Sequence, residues 1–216
     1  MQFNLIVSTC RNNGIGLNNK IPWHVTDDLR YFAKLTKGDG LNAVIMGHQT
    51  WQSLPNLPNK PRGLIERDNF VLSGQHSFDM LINHGRLVKT FKTVDEIETY
   101  LSVNNTYREI WVIGGAQIYK HFLDLNKIKK CYVTYVDEDF ECDTFFPIDF
   151  ASAADTGQSA SEAGASEAGA SAAGASEAGP RWIEVERTDT YDKTYECLVR
   201  YSVYEPQLDK AGAAQM

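Results

Sequence analysis

Apolar residues follow two alternating patterns along the chain. Short runs bounded by polar or glycine-bearing stretches occur at residues 3–8 (FNLIVS), 42–46 (NAVIM), 69–73 (NFVLS), 86–89 (RLVK) and 109–113 (EIWVI). Most are continuously apolar and β-branched, which predicts strands buried on both faces. Segments with helical spacing stand between them. Leu29, Phe32 and Leu35 form a stripe behind Thr26, Asp27 and Asp28, which read as a cap and an acidic first turn. Residues 48–53 run on to Pro55, Thr93 with Glu96 makes a capping box before TVDEIETYL, and AQIYKHFLDL follows Gly114 and Gly115. Strand alternating with helix predicts a mainly parallel sheet covered on both faces. After residue 130 the pattern changes. KCYVTYVD, WIEVER and TYECLVRYSVYE are β-rich with no helix among them, which predicts an antiparallel C-terminal edge. The expected fold is therefore α/β. It is a single domain over residues 1–205, with a mostly parallel mixed sheet of about eight strands and four flanking helices.

One stretch fits neither pattern. Residues 161–180 read SEAGA, SEAGA, SAAGA, SEAGP, preceded by the similar ASAADTGQSA. With no large apolar side chain it cannot contribute to a core, and a glycine every fifth residue costs a helix about 1 kcal/mol each. Residues 151–180 are expected to be a flexible insert and residues 206–216 a disordered tail. Loop-closure entropy grows only logarithmically, so the insert is expected to leave the fold and its chemistry largely intact.

Composition narrows the class. The chain has 216 residues, 43% of them hydrophobic, enough for a sizeable core. A formal net charge of −7 without a basic stripe argues against nucleic-acid binding. No run approaches the roughly 20 apolar residues of a membrane span, and the first residues lack a leader pattern, so a cytoplasmic protein is expected. The four cysteines have no metal-ligand spacing and are expected to be reduced thiols.

The candidate chemistry begins in GIGLNNKIPWHVTDDLRYF, residues 14–32. Gly14 and Gly16 flank Ile15 in a loop, and Pro22 holds Ile21 extended so that the chain reaches Trp23 stiffly. On the helix that follows, Asp27 and Asp28 point about 100° apart. If one faces solvent the other turns inward with Phe32, and Asp28 is that candidate, although an Asp pair at a helix start is ordinarily a surface feature. Two strand ends deliver glycine into a helix start, at Gly47 and at Gly114-Gly115. Unpaired N–H groups there suit phosphate, and two such ends on one sheet suit a dinucleotide, though neither matches GxGxxG or a Walker loop.

The pieces IGLNNKIPWHVTDDLRYF, VIMGHQTWQSLP, RDNFVLS, WVIGGAQIY and VTYVDEDFECDTFFP, in this order and spacing, resemble the dihydrofolate reductases. The resemblance covers nearly the whole chain outside the insert and tail. It implies NADPH-dependent reduction of 7,8-dihydrofolate to 5,6,7,8-tetrahydrofolate by hydride transfer to C6 and protonation at N5. It also implies a monomer that binds antifolates such as methotrexate or trimethoprim. Asp28 matches the carboxylate that grips the pterin, with burial expected to raise its pKa. Thr134 shares its hydrogen-bond network, and Ile21 and Trp23 complete the implied catalytic set. Ile6, Val7, Leu29, Phe32, Leu54, Leu64 and Ile113 match the apolar substrate walls. Arg67 matches the clamp for the substrate's glutamate carboxylate, although beside Asp68 it reads alone as a surface ion pair.

For the cofactor, Val7, Ser8, Ile15, Gly16 and Leu17 match contacts near the nicotinamide. Gly47, His48, Gln49 and Thr50 match one side of the phosphate and ribose surface, with Leu72, Ser73, Gly74 and Lys92 beyond it. Ile113, Gly114, Gly115, Ala116, Gln117, Ile118 and Tyr119 match the other side, where the family carries a cis peptide between the glycines. Asp143 and Thr144 match a loop that holds the gate closed. His48 stands where the family usually offers Arg or Lys, Gln117 replaces a second basic residue, and Gly74 follows Ser73, so weaker discrimination against NADH is expected.

Overall fold

The computed structural model describes residues 1–56, 62–82, 85–150 and 181–207. The chain opens with β1 (Phe3–Cys10), β2 (Gly14–Gly16), α1 (Thr26–Lys37), β3 (Ala43–Gly47) and α2 (His48–Ser53). Next come β4 (Asp68–Leu72), β5 (Asp79–Ile82), β6 (Arg86–Phe91), α3 (Val94–Val103), β7 (Ile110–Gly114) and α4 (Ala116–Asp124). It closes with β8 (Ile128–Val136), β9 (Thr144–Phe145), β10 (Trp182–Asp192) and β11 (Cys197–Pro206).

The main sheet has the order β10-β11-β8-β1-β7-β3-β4-β6-β5, and β2 with β9 forms a separate two-stranded ribbon. Strands β8 through β6 in that order pair in parallel, and antiparallel partners flank them, β11 and β10 on one side and β5 on the other. Among the described residues the sheet thus has nine strands, where about eight are expected. The addition is β5, whose four residues, DMLI, are mostly exposed and too few to show a period.

Alternation along β1 sends Leu5 and Val7 to one face and Ile6 to the other. Leu5 and Val7 join Phe70, Ile97 and Phe122 beneath α3 and α4, while Ile6 joins Val44, Met46 and Trp111 on the face where Phe32 and Leu35 of α1 pack. Each large apolar side chain so buried stabilises the fold by about 1.5–3 kcal/mol before entropy is charged against it.

Thr93 does cap α3, its hydroxyl accepting from the Glu96 N–H. Thr26 does not cap α1. It is the first helical residue, and Val25, buried at the N-cap, supplies only its carbonyl, to Leu29 N–H at 3.1 Å. Packing of Val25 with Trp23 and Cys10 fixes the helix entry in place of a side-chain cap.

The expected insert, residues 151–180, lies outside the described residues, as do residues 208–216 of the expected tail. Its flanks lie side by side. Phe150 stacks on Tyr204 at 4.1 Å and meets the Trp182 ring edge-on at 6.3 Å. Pro206, where the tail was expected to begin, is still strand, paired with Trp182, and Gln207 N–H donates to Arg181 O. No helix among the described residues is long and apolar enough to cross a membrane.

Candidate active site

Helix α1 divides its two acidic residues as their spacing predicts. Asp27 faces solvent and pairs with Arg30 at 2.8 Å. Asp28 turns inward to the hydroxyls of Thr134 and Ser8, both of which favour its ionised form. Those hydroxyls come together because β1 and β8 are adjacent parallel strands with Ser8 directly opposite Thr134. Burial nevertheless dominates and pushes the Asp28 carboxyl above its ordinary range. Its charge is felt by three phenols already raised by burial: Tyr31 and Tyr201, each pushed up to about 12, and Tyr119. Trp23 is buried, and its indole Nε1–H donates to Ser8 Oγ at 3.1 Å. Ser8, expected from the resemblance beside the nicotinamide, is therefore also part of the acid's surroundings.

Ile6 is buried beside this acid's helix, and Phe32, Leu54, Leu64 and Ile113 are partly buried against the same cluster. Val7 points to the opposite face of the sheet. Ile21 and Leu29 are 55% and 45% exposed, apolar surface on either side of the Trp23–Asp28 segment.

Arg67 is not the surface ion pair its neighbour suggests. It is 3% exposed, donates from Nε to Ile65 O at 2.9 Å, and bonds the Thr36 hydroxyl through Nη1. Asp68 is engaged elsewhere, accepting from Tyr107 OH and Leu87 N–H. Burial lowers the Arg67 pKa to about 10, still cationic at neutral pH, and its guanidinium lies 6.0 Å from the Phe32 ring. Phe32 thus lies one helical turn on from the inward, half-buried Asp28 carboxylate and against the buried Arg67 guanidinium.

The two glycine-bearing strand ends meet. β3 and β7 are neighbours, with Met46 opposite Gly114, and the Gly114-Gly115 peptide is cis. Glycine is required at both ends. A Cβ on Gly47 would come within 2.9 Å of Ile118, and Gly114 has φ +123° against the Tyr119 ring. Thr50 reaches Gly115 from α2, so α2 and α4 start side by side, neither with a side-chain cap. Such starts leave N–H groups free for an anion, and the absent Cβ atoms let one approach closely, so these residues fit a dinucleotide's phosphates. Ala116, Gln49 and Gln117 flank this cradle, the two glutamines exposed. Tyr119 plays a different part from the one implied: it is buried, and its hydroxyl donates to Ile6 O at 2.8 Å, tying α4 to β1.

His48 stacks on His76 with centroids 3.6 Å apart and planes 9° off parallel. Ser73 Oγ accepts from His76 N–H at 3.1 Å and lies 3.2 Å from its Nδ1. Sequence reasoning missed His76, which sits in a polar loop with no periodic signal. Burial, His76 and Arg62 lower the His48 pKa. Leu72 packs on the core, Gly74 has open space around it, and Lys92, exposed, uses its N–H on Glu96.

The segment expected to act as the gate is a small hairpin. Leu17 and Lys20 exchange backbone bonds around Asn18 and Asn19, both in the left-handed region. Asp143 clasps it, accepting from Asn18 N–H at 2.8 Å and donating its own N–H to Gly16 O at 3.0 Å, while Thr144 pairs with Gly16 and Phe145 with Gly14. The Asn18 N–H and the Thr144 hydroxyl hold the Asp143 carboxyl below its ordinary range. Ile15 packs on the core from this ribbon.

The family profile described as dihydrofolate reductase matches residues 2–169. The dihydrofolate reductase of Heliothis virescens is 36% identical over 152 residues, 68% of this chain and 80% of that protein. That of Drosophila melanogaster is 32% identical over 154 residues, 68% and 80%. That of Haemophilus influenzae is 36% identical over 147 residues, 68% and 79%. With its parallel sheet, inward acid and paired glycine turns, the chain belongs to the dihydrofolate reductase family.

Proposed function

We propose that this chain reduces 7,8-dihydrofolate to 5,6,7,8-tetrahydrofolate with NADPH, as a cytoplasmic monomer. The observation that carries the reading is Asp28, a carboxylate turned inward at a helix start beside an apolar wall. The 2-amino group and N3 of a pterin present two parallel N–H donors, and a carboxylate accepts both, which fixes the ring's orientation. Methotrexate and trimethoprim offer matching donors and would compete there. Arg67, held cationic against the Phe32 ring, suits the carboxylate of a glutamate tail. A reductase acting on a ribitylamino-pyrimidine would leave that arginine without a role.

Bound NADPH would supply the hydride delivered to C6. Gly47, Gly114, Gly115 and the start of α4 would hold its phosphates, with His48 and Ser73 toward the far end. The raised pKa of Asp28 keeps a proton available at the site closer to neutral pH than an ordinary carboxyl does, supporting protonation at N5 without contact between Asp28 and N5. Ile6, Phe32, Leu54 and Ile113 exclude water, and the hairpin clasped by Asp143 closes over the rings, making release a slow step.

Following loss of reduced nicotinamide absorbance with dihydrofolate tests this. Wild type consumes NADPH faster than NADH, and Asp28→Asn loses about 10²-fold or more in kcat/KM at neutral pH. Full activity in the Asn variant sinks the role given to Asp28. Methotrexate binding without any NADPH consumption would instead indicate a folate-binding protein.

A further inference from the structure

We propose that Ser8 is a positioning residue for Asp28, its hydroxyl relaying a hydrogen bond from the Trp23 indole to the Asp28 carboxylate. The proposal rests on Asp28 being the pterin-binding acid.

Donor inventory sets the direction of the relay. An indole Nε1–H can only donate, so at 3.1 Å it occupies a lone pair of Ser8 Oγ. The single Ser8 proton is then free for an acceptor, and the Ser8 hydroxyl favours the ionised form of Asp28. Thr134, opposite Ser8 on the neighbouring strand, approaches the same carboxylate. Two hydroxyls on adjacent strands therefore hold Asp28 from the sheet while its own helix holds it from above. A donor-only group at one end and an anion at the other polarise the middle hydroxyl in the same sense, which strengthens both bonds. On the strand that carries Ser8, its neighbours Val7 and Thr9 are both buried. The relay also links the acid to the gate, because Trp23 stands directly after Pro22 at the gate's end.

Asp28 is the carboxyl of this cluster, raised above its ordinary range by burial. Tyr31 on α1, Tyr119 on α4 and Tyr201 on β11 interact with it, and burial keeps all three phenols protonated at neutral pH. Asp27 is turned out to Arg30. A pH-dependent signal passed through Ser8 to Trp23 thus reports Asp28. An alanine at position 8 would leave the indole N–H without its acceptor and the carboxylate with one hydroxyl in place of two. The ionised form then loses a bond and the Asp28 pKa rises.

The test reads the Trp23 indole N–H resonance in the unliganded protein, assigned by its loss in Trp23→Phe. In wild type it should shift with pH through one inflection, and Asp28→Asn should abolish that inflection. In Ser8→Ala the resonance should move and no longer follow Asp28. The acid-side inflection of kcat/KM for dihydrofolate should also rise. KM for dihydrofolate should increase roughly tenfold at acid pH, the scale of one lost charge-assisted bond, and return toward wild type at alkaline pH. Ser8→Thr, which keeps the hydroxyl, should restore both signals. A Trp23 resonance that titrates unchanged in Ser8→Ala overturns the relay, as does a defect confined to the KM for NADPH at every pH. If the relay signals appear while Asp28→Asn keeps full activity, the relay stands and the proposed role of Asp28 in the reaction falls.

Discussion

Burial penalises the charges of Asp28 and Arg67 in opposite directions, raising one pKa and lowering the other to about 10, and hydrogen bonds keep both in place. Under the proposed function, the Phe32 ring against Arg67 suits a substrate with an aminopyrimidine at one end, toward Asp28, and a carboxylate at the other. The first of these was legible from helix phase, since only one of two adjacent aspartates can face the sheet. The second was not, because Asp68 suggested a surface pair and only the packing of Phe32 and Thr36 buries the guanidinium. His48 carries a pH prediction. Its imidazole pKa is lowered by burial, by His76 and by Arg62, so without an anion it is mostly neutral at pH 7. A phosphate beside it favours the protonated form, so binding takes up a proton and affinity falls as pH rises. The dissociation constant for NADPH should therefore grow between about pH 6 and 8.5, while that for NADH, which lacks the 2′-phosphate, stays flat. An NADPH constant that does not change would remove His48 from phosphate reading.

At the scale of elements, the buried parallel strands and four helices were readable from apolar runs and glycine turns. The ribbon of β2 and β9 was not, since strands of three and two residues carry no period. Its contact is close. An ideal Cβ on Gly14 would lie 2.3 Å from Cys142 Sγ and 2.6 Å from Cys142 Cβ. Gly14→Ala should therefore spread the gate from its clasp, raise KM for the cofactor several-fold and lower the Tm. Adding Cys142→Gly should recover most of both losses, whereas Cys142→Ala should not, because the Cβ at position 142 is itself in the way. Equal recovery by the two second-site changes, read by thermal melts and NADPH titration, would show that the interlock is not what makes Gly14 necessary.

Over the whole molecule, a nine-stranded sheet places both candidate half-sites near its middle, the acid over β1 and β8 and the phosphate cradle at β3 and β7. The fold class followed from the order of strand and helix patterns, but which strands neighbour one another did not, since β1, the first strand, sits between β7 and β8. Replacing residues 151–180 with about five residues should leave turnover within tenfold and stabilise the fold by roughly 1–2 kcal/mol, the loop-closure difference. A larger loss of turnover would give that stretch a part in catalysis. The ring contact between Phe150 and Trp182 has a practical consequence of its own. Because the chain leaves and re-enters the fold at one spot, the protein is a natural host for a spliced-in passenger domain. A passenger whose own termini lie close together should be carried without loss of turnover. One that folds with distant termini should pry the two rings apart, making the host's activity a readout of whether its passenger has folded.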